Sequence, residues 1–169
     1  MPNGVLIIGA YGSGKSSLCE ELAAVLESAG VAYGAIDLDW LGWYDAPGRR
    51  FDHDRRDPVA MANLQAVVGN YLSAGVDHVV LAGAVWSDEE LAAIRGALPF
   101  PLRVVQLIVA YEEIERRLSA SVSTARAQDL EEAKRQSERG ELGLSDVVIV
   151  NDRPIWEVAD EVLDWLSWR

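Results

Sequence analysis

Lys15 is one of only two lysines in the chain, the other being Lys134. It stands in Gly9-Ala10-Tyr11-Gly12-Ser13-Gly14-Lys15-Ser16, which fits G-x-x-x-x-G-K-[ST]. Glycines at 9, 12 and 14 let the main chain curl with its N–H groups inward, forming an anion nest at the positive end of a helix. An ammonium group at 15 reaches the outer phosphates of a ligand, and the hydroxyl of Ser16, with Ser17 beside it, suits a phosphate-bound Mg²⁺. The expected ligand is therefore a nucleotide. The plainer alternative is a tight strand-to-helix turn that happens to contain glycines.

Acids follow at a distance that suits the same chemistry. Ala32-Tyr33-Gly34-Ala35-Ile36 reads as a second strand, delivering Asp37 and Asp39 at its carboxyl end, where open α/β sheets bind their ligands. Carboxylates placed there coordinate a metal or take a proton from an attacking hydroxyl; Asp37 equally suits the cap of a loop or helix. Trp40, Trp43 and Tyr44 come next, either lining a pocket for a ring-bearing or apolar substrate or anchoring a loop on the core. Residues 48–57 hold Arg49, Arg50, Arg55 and Arg56. In an acidic chain this cluster either receives an anionic group or pairs with its own aspartates. His53 has no second His or Cys at metal-ligand spacing and reads as a surface residue.

The 169 residues are expected to form one domain, with half of them hydrophobic and a formal net charge of −12. That charge opposes general nucleic-acid binding and attachment to anionic membranes. No apolar stretch reaches membrane-span length, and Met1-Pro2-Asn3-Gly4 lacks a basic signal head. Cys19 is the single cysteine, placed to pack as a small hydrophobe. A cytoplasmic protein without internal disulfides is expected.

The elements that must position these groups read in order. Val5-Leu6-Ile7-Ile8 is a strand buried on both faces; Leu18, Leu22, Val25, Leu26 and Ala29 then recur at helical spacing up to Gly30. Asp57-Pro58 opens a helix that Gly75 ends, and Val79 to Ala82 is a third strand. Ser87-Asp88-Glu89-Glu90 has the form of a capping box. Leu102 to Val109 is a fourth strand, interrupted in polarity by Arg103 and Gln106. A short helix spans Tyr111 to Leu118, residues 119–126 are small and polar like a mobile loop, and helical character returns from Asp129 to about Arg139. Val147 to Val150 is the fifth strand, and a last helix starts near Pro154, with Trp156, Trp165 and Trp168 as packing residues. Five apolar strands alternating with helices predict an α/β fold with a parallel sheet covered on both faces.

The phosphate loop after the first strand, Ile36-Asp37-Leu38-Asp39 after the second and the strand-loop-helix at the end resemble the small P-loop kinases. The layout is similar to the nucleoside-monophosphate-kinase-like group, including shikimate, gluconate and adenylylsulfate kinases and chloramphenicol phosphotransferase. The resemblance implies a three-layer fold with strand order 2-3-1-4-5, ATP-Mg²⁺ as phosphoryl donor and a small-molecule acceptor. It implies Lys15 and Ser16 as phosphate and metal contacts, and Asp37 as base or orienter of the acceptor hydroxyl, with Asp39 as a further metal or substrate ligand. A lid over about 117–140 would bring an arginine from the stretch Arg117 to Arg126, with Arg126 as the catalytic candidate, to the transferring phosphoryl. Asn151, Asp152 and Arg153 lie where such kinases hold the adenine. The chain departs from the pattern in two places. Its third strand ends Leu81-Ala82-Gly83-Ala84, without an acid, and Arg126 is the only basic residue between Ser119 and Gln128.

The leading expectation is an ATP-dependent phosphotransferase acting on a small hydroxylated acceptor. The alternative is a nucleotide-binding regulatory or accessory protein with little turnover. A GTPase switch is opposed by the lack of [NT]-K-x-D, since Lys134 is followed by Arg135 and Gln136.

Overall fold

The structure, a computed structural model, describes residues 1–44, 57–119 and 126–168, with side chains left out at 119 and 126–129. The strands are β1 (Asn3–Gly9), β2 (Tyr33–Asp37), β3 (His78–Ala82), β4 (Leu102–Ile108) and β5 (Val147–Val150). The helices are α1 (Lys15–Ser28), α2 (Leu38–Leu41), α3 (Pro58–Ser73), α4 (Asp88–Gly96), α5 (Tyr111–Ser119), α6 (Arg126–Ser137) and α7 (Ile155–Leu166). The five strands form one parallel sheet in the order β2-β3-β1-β4-β5, with Ile7 opposite Ala82 on one side and Val105 on the other.

Strand periodicity explains why β1 is apolar throughout. Val5 and Ile7 point to one face, where Leu18, Leu22 and Leu26 of α1 meet Val158, Val162 and Leu166 of α7. Leu6 and Ile8 point to the other, against Leu64 and Val68 of α3 and Leu91 and Ile94 of α4. All four β1 side chains are fully buried. A one-residue slip would exchange the two sets, so this central strand fixes where the turn at its carboxyl end emerges.

The two polar residues in β4 are structural. Gln106 is buried, donating to Gly140 O at 2.7 Å while its Oε1 accepts from the Leu142 amide at 3.0 Å. It stitches the loop after α6 to the sheet. Arg103 donates to the carbonyls of Trp165, at 3.0 Å, and Leu166, satisfying the end of α7, and its guanidinium lies 4.7 Å from the Trp165 ring centroid.

The capping signals act as read, with one variation. Asp57 accepts from the Val59 amide and Ser87 from that of Glu90, but the Glu90 carboxylate reaches the Trp86 amide at 2.6 Å, one residue before the cap. Three expectations need correction. Strand β2 runs one residue further, ending on Asp37 itself, and the short helix α2 follows at once. Helix α6 begins at Arg126 instead of Asp129. Trp168 is buried and Trp165 packs under Arg103, but Trp156 is 55% exposed and is no packing residue: it sits on the outer side of α7, opposite the Val158–Val162–Leu166 stripe. Among the described residues, no helix is long and apolar enough to cross a membrane.

Replacing Gln106 with Leu strips the 140–142 loop of both its sheet anchors. Urea unfolding should show a loss of about 1–3 kcal/mol with an unchanged m value. An unaltered midpoint would mean that water replaces the amide without penalty.

Candidate functional site

The turn from β1 into α1 is shaped by three glycines with positive φ, Gly9, Gly12 and Gly14, of which Gly14 stands at the start of the helix. Its φ of 98° disfavours any side chain, and a Cβ there would lie 2.6 Å from Asn151 Nδ2. Because Gly14 caps α1 without a side chain, nothing local satisfies the first helical amides. Among the described residues, the amides of Gly12, Gly14, Lys15, Ser16 and Ser17 have no protein acceptor. Five unpaired donors at the positive end of a fourteen-residue helix make a site for an anion.

Three hydrogen bonds hold the turn in place, two of them with other segments. Lys15 Nζ donates to Ala10 O at 3.0 Å, closing the loop across its mouth. The Tyr11 amide donates to Gln136 Oε1 on α6 at 2.7 Å, and Gln136 is itself steadied by Glu132. Asn151, buried just after β5, donates through Nδ2 to Ser13 O at 2.8 Å. Gly9 and Ser13 are buried within the turn, and the Ser13 hydroxyl has no hydrogen-bond partner among the described residues. Burial lowers the pKa of Lys15 below the ordinary lysine value, while the negative charges of Asp39 and Asp37 pull it back up.

Asp37 caps a helix and also bonds to the phosphate loop. Its Oδ1 accepts from the Asp39 amide at 3.0 Å, capping α2, and its Oδ2 accepts from the Ser16 hydroxyl at 2.9 Å. The carboxylate is therefore fixed in orientation beside the anion nest. Asp39 is exposed at the edge of the same opening. At Gly83, where the strand ends without an acid, a Cβ would lie 3.0 Å from the Cβ of buried Leu38, so a side chain there would press on α2.

Trp40 and Trp43 do not anchor a loop on the core. They stack on each other with centroids 4.9 Å apart and remain 68% and 75% exposed. Tyr44 turns away, its hydroxyl 3.4 Å from Asp57 Oδ1 at the start of α3. Arg49, Arg50, His53 and Arg56 lie outside the described residues, as does the Arg126 side chain.

Arg117 reaches the site from α5. Its Nε donates to Glu113 at 2.7 Å, its Nη2 to Asn151 O at 3.0 Å, and its Nη1 lies 3.7 Å from where a Gly14 Cβ would stand. Hydrogen bonds from Arg116 and Arg117 hold the Glu113 pKa down at about 2, so the pairing persists across the neutral range. Arg117 is one end of the stretch in which the resemblance places a lid arginine, and Glu113 four residues earlier stands at the favourable ion-pair spacing on a helix. Its approach to Gly14 is a tertiary fact. Arg153 also borders the opening, bonded to Glu161 and 3.7 Å from Asp152, whereas Asp152 itself stands exposed outside it.

Together Gly12, Lys15, Ser16, Arg117 and Asn151 line an open cavity of about 580 Å³, which suits a nucleotide. Among the described residues, no group of three or more His, Cys, Asp or Glu could cage a metal ion. The Ser16 hydroxyl and Asp37 carboxylate instead fit a hard cation that arrives with phosphate and water ligands.

No family model matches the chain and no curated protein matches it. Solved structures do. A sugar kinase from Janibacter sp. HTCC2649 superposes with a TM-score of 0.69 at 19% identity, covering 99% of this chain and 95% of that one. The Mycobacterium tuberculosis APS kinase in complex with AMPPNP and APS gives 0.64 at 23% identity, covering 98% of both chains. The Acinetobacter baumannii shikimate kinase in complex with shikimate gives 0.58 at 17% identity, covering 99% and 94%. The fold is that of the small P-loop kinases.

Cys19 lies beneath this site on α1, with its Sγ 3.9 Å from Val80 O. Burial, and then the charge of Asp37, push its pKa up to about 12. At pH 8 the folded protein should be inert to a disulfide reagent such as DTNB and release one equivalent only after unfolding. Fast labelling of the native protein would show that the α1–sheet interface opens.

Proposed function

We propose that the protein is an ATP-dependent phosphotransferase that moves the γ-phosphoryl group to a hydroxyl of a small molecule. The observation that carries this reading is the set of unpaired amides from Gly12 to Ser17, closed by Lys15 and faced by an oriented Asp37. The kinase fold of the solved neighbours supports it.

The amides bind the donor's β- and γ-phosphate oxygens, and Lys15 leaves Ala10 O to neutralise charge there. Gly12, Asn151 and Arg153 border the rest of the nucleotide, with Arg117 on the side of Gly14. Asp37 receives the acceptor's hydroxyl; its two hydrogen bonds hold the carboxylate in place and leave lone pairs for that proton. Mg²⁺, held by Ser16 and through Asp37 or Asp39, would supply charge neutralisation on the phosphates. A lid from about 117 to 140 would exclude water, and Gln136 ties it to the phosphate loop through the Tyr11 amide.

One observation favours the second reading, a nucleotide-binding regulator with negligible turnover. Arg117, the described arginine nearest the loop, is already engaged by Glu113 and Asn151. Calorimetric ATP titration combined with an ATP-consumption assay over hydroxylated metabolites and antibiotics separates the two. Acceptor-stimulated ADP release supports the kinase, and tight binding without it supports the regulator.

For the wild type, ATP at a hundredfold excess over Kd should raise stability by about 2.7 kcal/mol. Lys15→Ala should abolish that rise, and an unchanged shift would remove the phosphate-loop assignment. Asp37→Asn keeps an oxygen for the α2 cap and should therefore fold. It should lower turnover by two or more powers of ten with little effect on ATP affinity. Parallel losses in both would make Asp37 a metal or structural residue.

A further inference from the structure

A second cavity, of about 490 Å³, lies between α1 and the edge strand β2 and opens beside the first, with Ser16 in both linings. The two differ in charge. The first is bordered by Lys15, Arg117 and Arg153 with one carboxylate, Asp39, whereas the second has Glu20, Glu27 and Asp37 and no lysine or arginine among its described lining. Ser16, Glu20, Ala23 and Glu27 recur along one face of α1, with Glu20 about 6 Å and Glu27 about 16 Å along the axis from Ser16. Neither glutamate is paired with a cation among the described residues. The opposite wall is aromatic, formed by Tyr33 and the exposed Trp40, which is stiffened by its stack on Trp43. The alanine between the glutamates keeps the floor low. Nothing in the fold requires an exposed indole pair at this rim, and an aromatic face beside carboxylates is a binding surface for ammonium groups and the sugar C–H faces that carry them.

We propose that this cavity is the acceptor site and that the acceptor is an elongated hydroxylated polyamine of the amino-sugar oligosaccharide class. This rests on the phosphotransferase reading. The acceptor hydroxyl meets Asp37 at the shared mouth, its ammonium groups run along Glu20 and Glu27, and a ring face lies against Trp40. In the transfer, the acceptor oxygen forms a bond to the γ-phosphorus, the bond from that phosphorus to the β,γ-bridging oxygen breaks, ADP keeps the electron pair, and the hydroxyl proton passes to Asp37. The spacing of the two glutamates selects length, and their charge selects the amine.

A matched set of probes tests this: a β-1,4-linked glucosamine trimer, cellotriose and trigalacturonate, which present similar rings as polycation, neutral compound and polyanion. Tryptophan fluorescence and calorimetry should show the glucosamine trimer binding at least tenfold more tightly than cellotriose, with the preference falling in 0.5 M KCl. The exposed double substitution Glu20→Gln/Glu27→Gln should erase the preference while ATP affinity stays unchanged, and Trp40→Ala should remove the fluorescence response. Equal binding of trimer and cellotriose, preference for trigalacturonate (the result Arg49, Arg50 and Arg56 would produce), or an unchanged preference in the double variant overturns the proposal. ADP release stimulated by the trimer supports both cavity and reaction. Amine-selective binding without ADP release upholds the cavity and counts against the phosphotransferase reading, and loss of ATP binding alone bears only on the first cavity.

Discussion

An unsatisfied helix terminus sets the terms for the rest of this molecule. The first turn of α1 emerges at the centre of the sheet with five amides lacking partners, in a chain whose net charge is −12. Leaving such groups unpaired in a folded protein is costly unless water or a ligand takes them. The surrounding structure does not repair the deficit. It holds the amides in place, with Gln136 on the Tyr11 amide, Asn151 on the Ser13 carbonyl and Lys15 across the mouth on Ala10. Each bond ties off a group that would otherwise let the turn collapse on itself, and the donors aimed into the cavity stay free.

The same logic orders the acids. Asp37 ends β2 and begins α2, so its backbone is fixed by the sheet and its side chain by the cap. Leu38 then packs closely against Gly83 at the end of β3. Asp37 has a direction fixed by two hydrogen bonds, whereas Asp39 stands exposed at the edge of the opening.

Much of this was legible in the sequence, for reasons particular to each element. The apolar run at 5–8, the glycines at 9, 12 and 14 and the caps at Asp57 and Ser87 are local signals, and local sterics or hydrogen bonds decide them. Strand order was not visible in periodicity and came from the layout of a known fold. Sequence pattern reads Trp156 as packing because it is large and apolar; it faces out, and for Trp40 and Trp43, where the sequence leaves pocket lining and loop anchoring open, exposure removes the second. Arg103 and Gln106 look like flaws in a strand until the end of α7 and the 140–142 loop arrive beside them. The resemblance places Arg117 only as one end of a lid stretch, because its position beside Gly14 depends on a hydrogen bond to Asn151 O, 34 residues away in sequence.

Charge placement connects these pieces. A lysine sunk into the loop is penalised by lost hydration, which lowers its pKa, and the negative charges of Asp39 and Asp37 offset part of that penalty. Glu113 holds Arg117 through the same kind of neutralisation, so the guanidinium keeps one geometry instead of sampling many. Among the described linings, the lysine and the two arginines thereby stand on one side of Ser16 and, Asp39 apart, the carboxylates on the other. Such a division does nothing for stability, since like charges gathered on each side repel. It is what a site needs when two ligands of opposite charge must meet at one hydroxyl and one carboxylate.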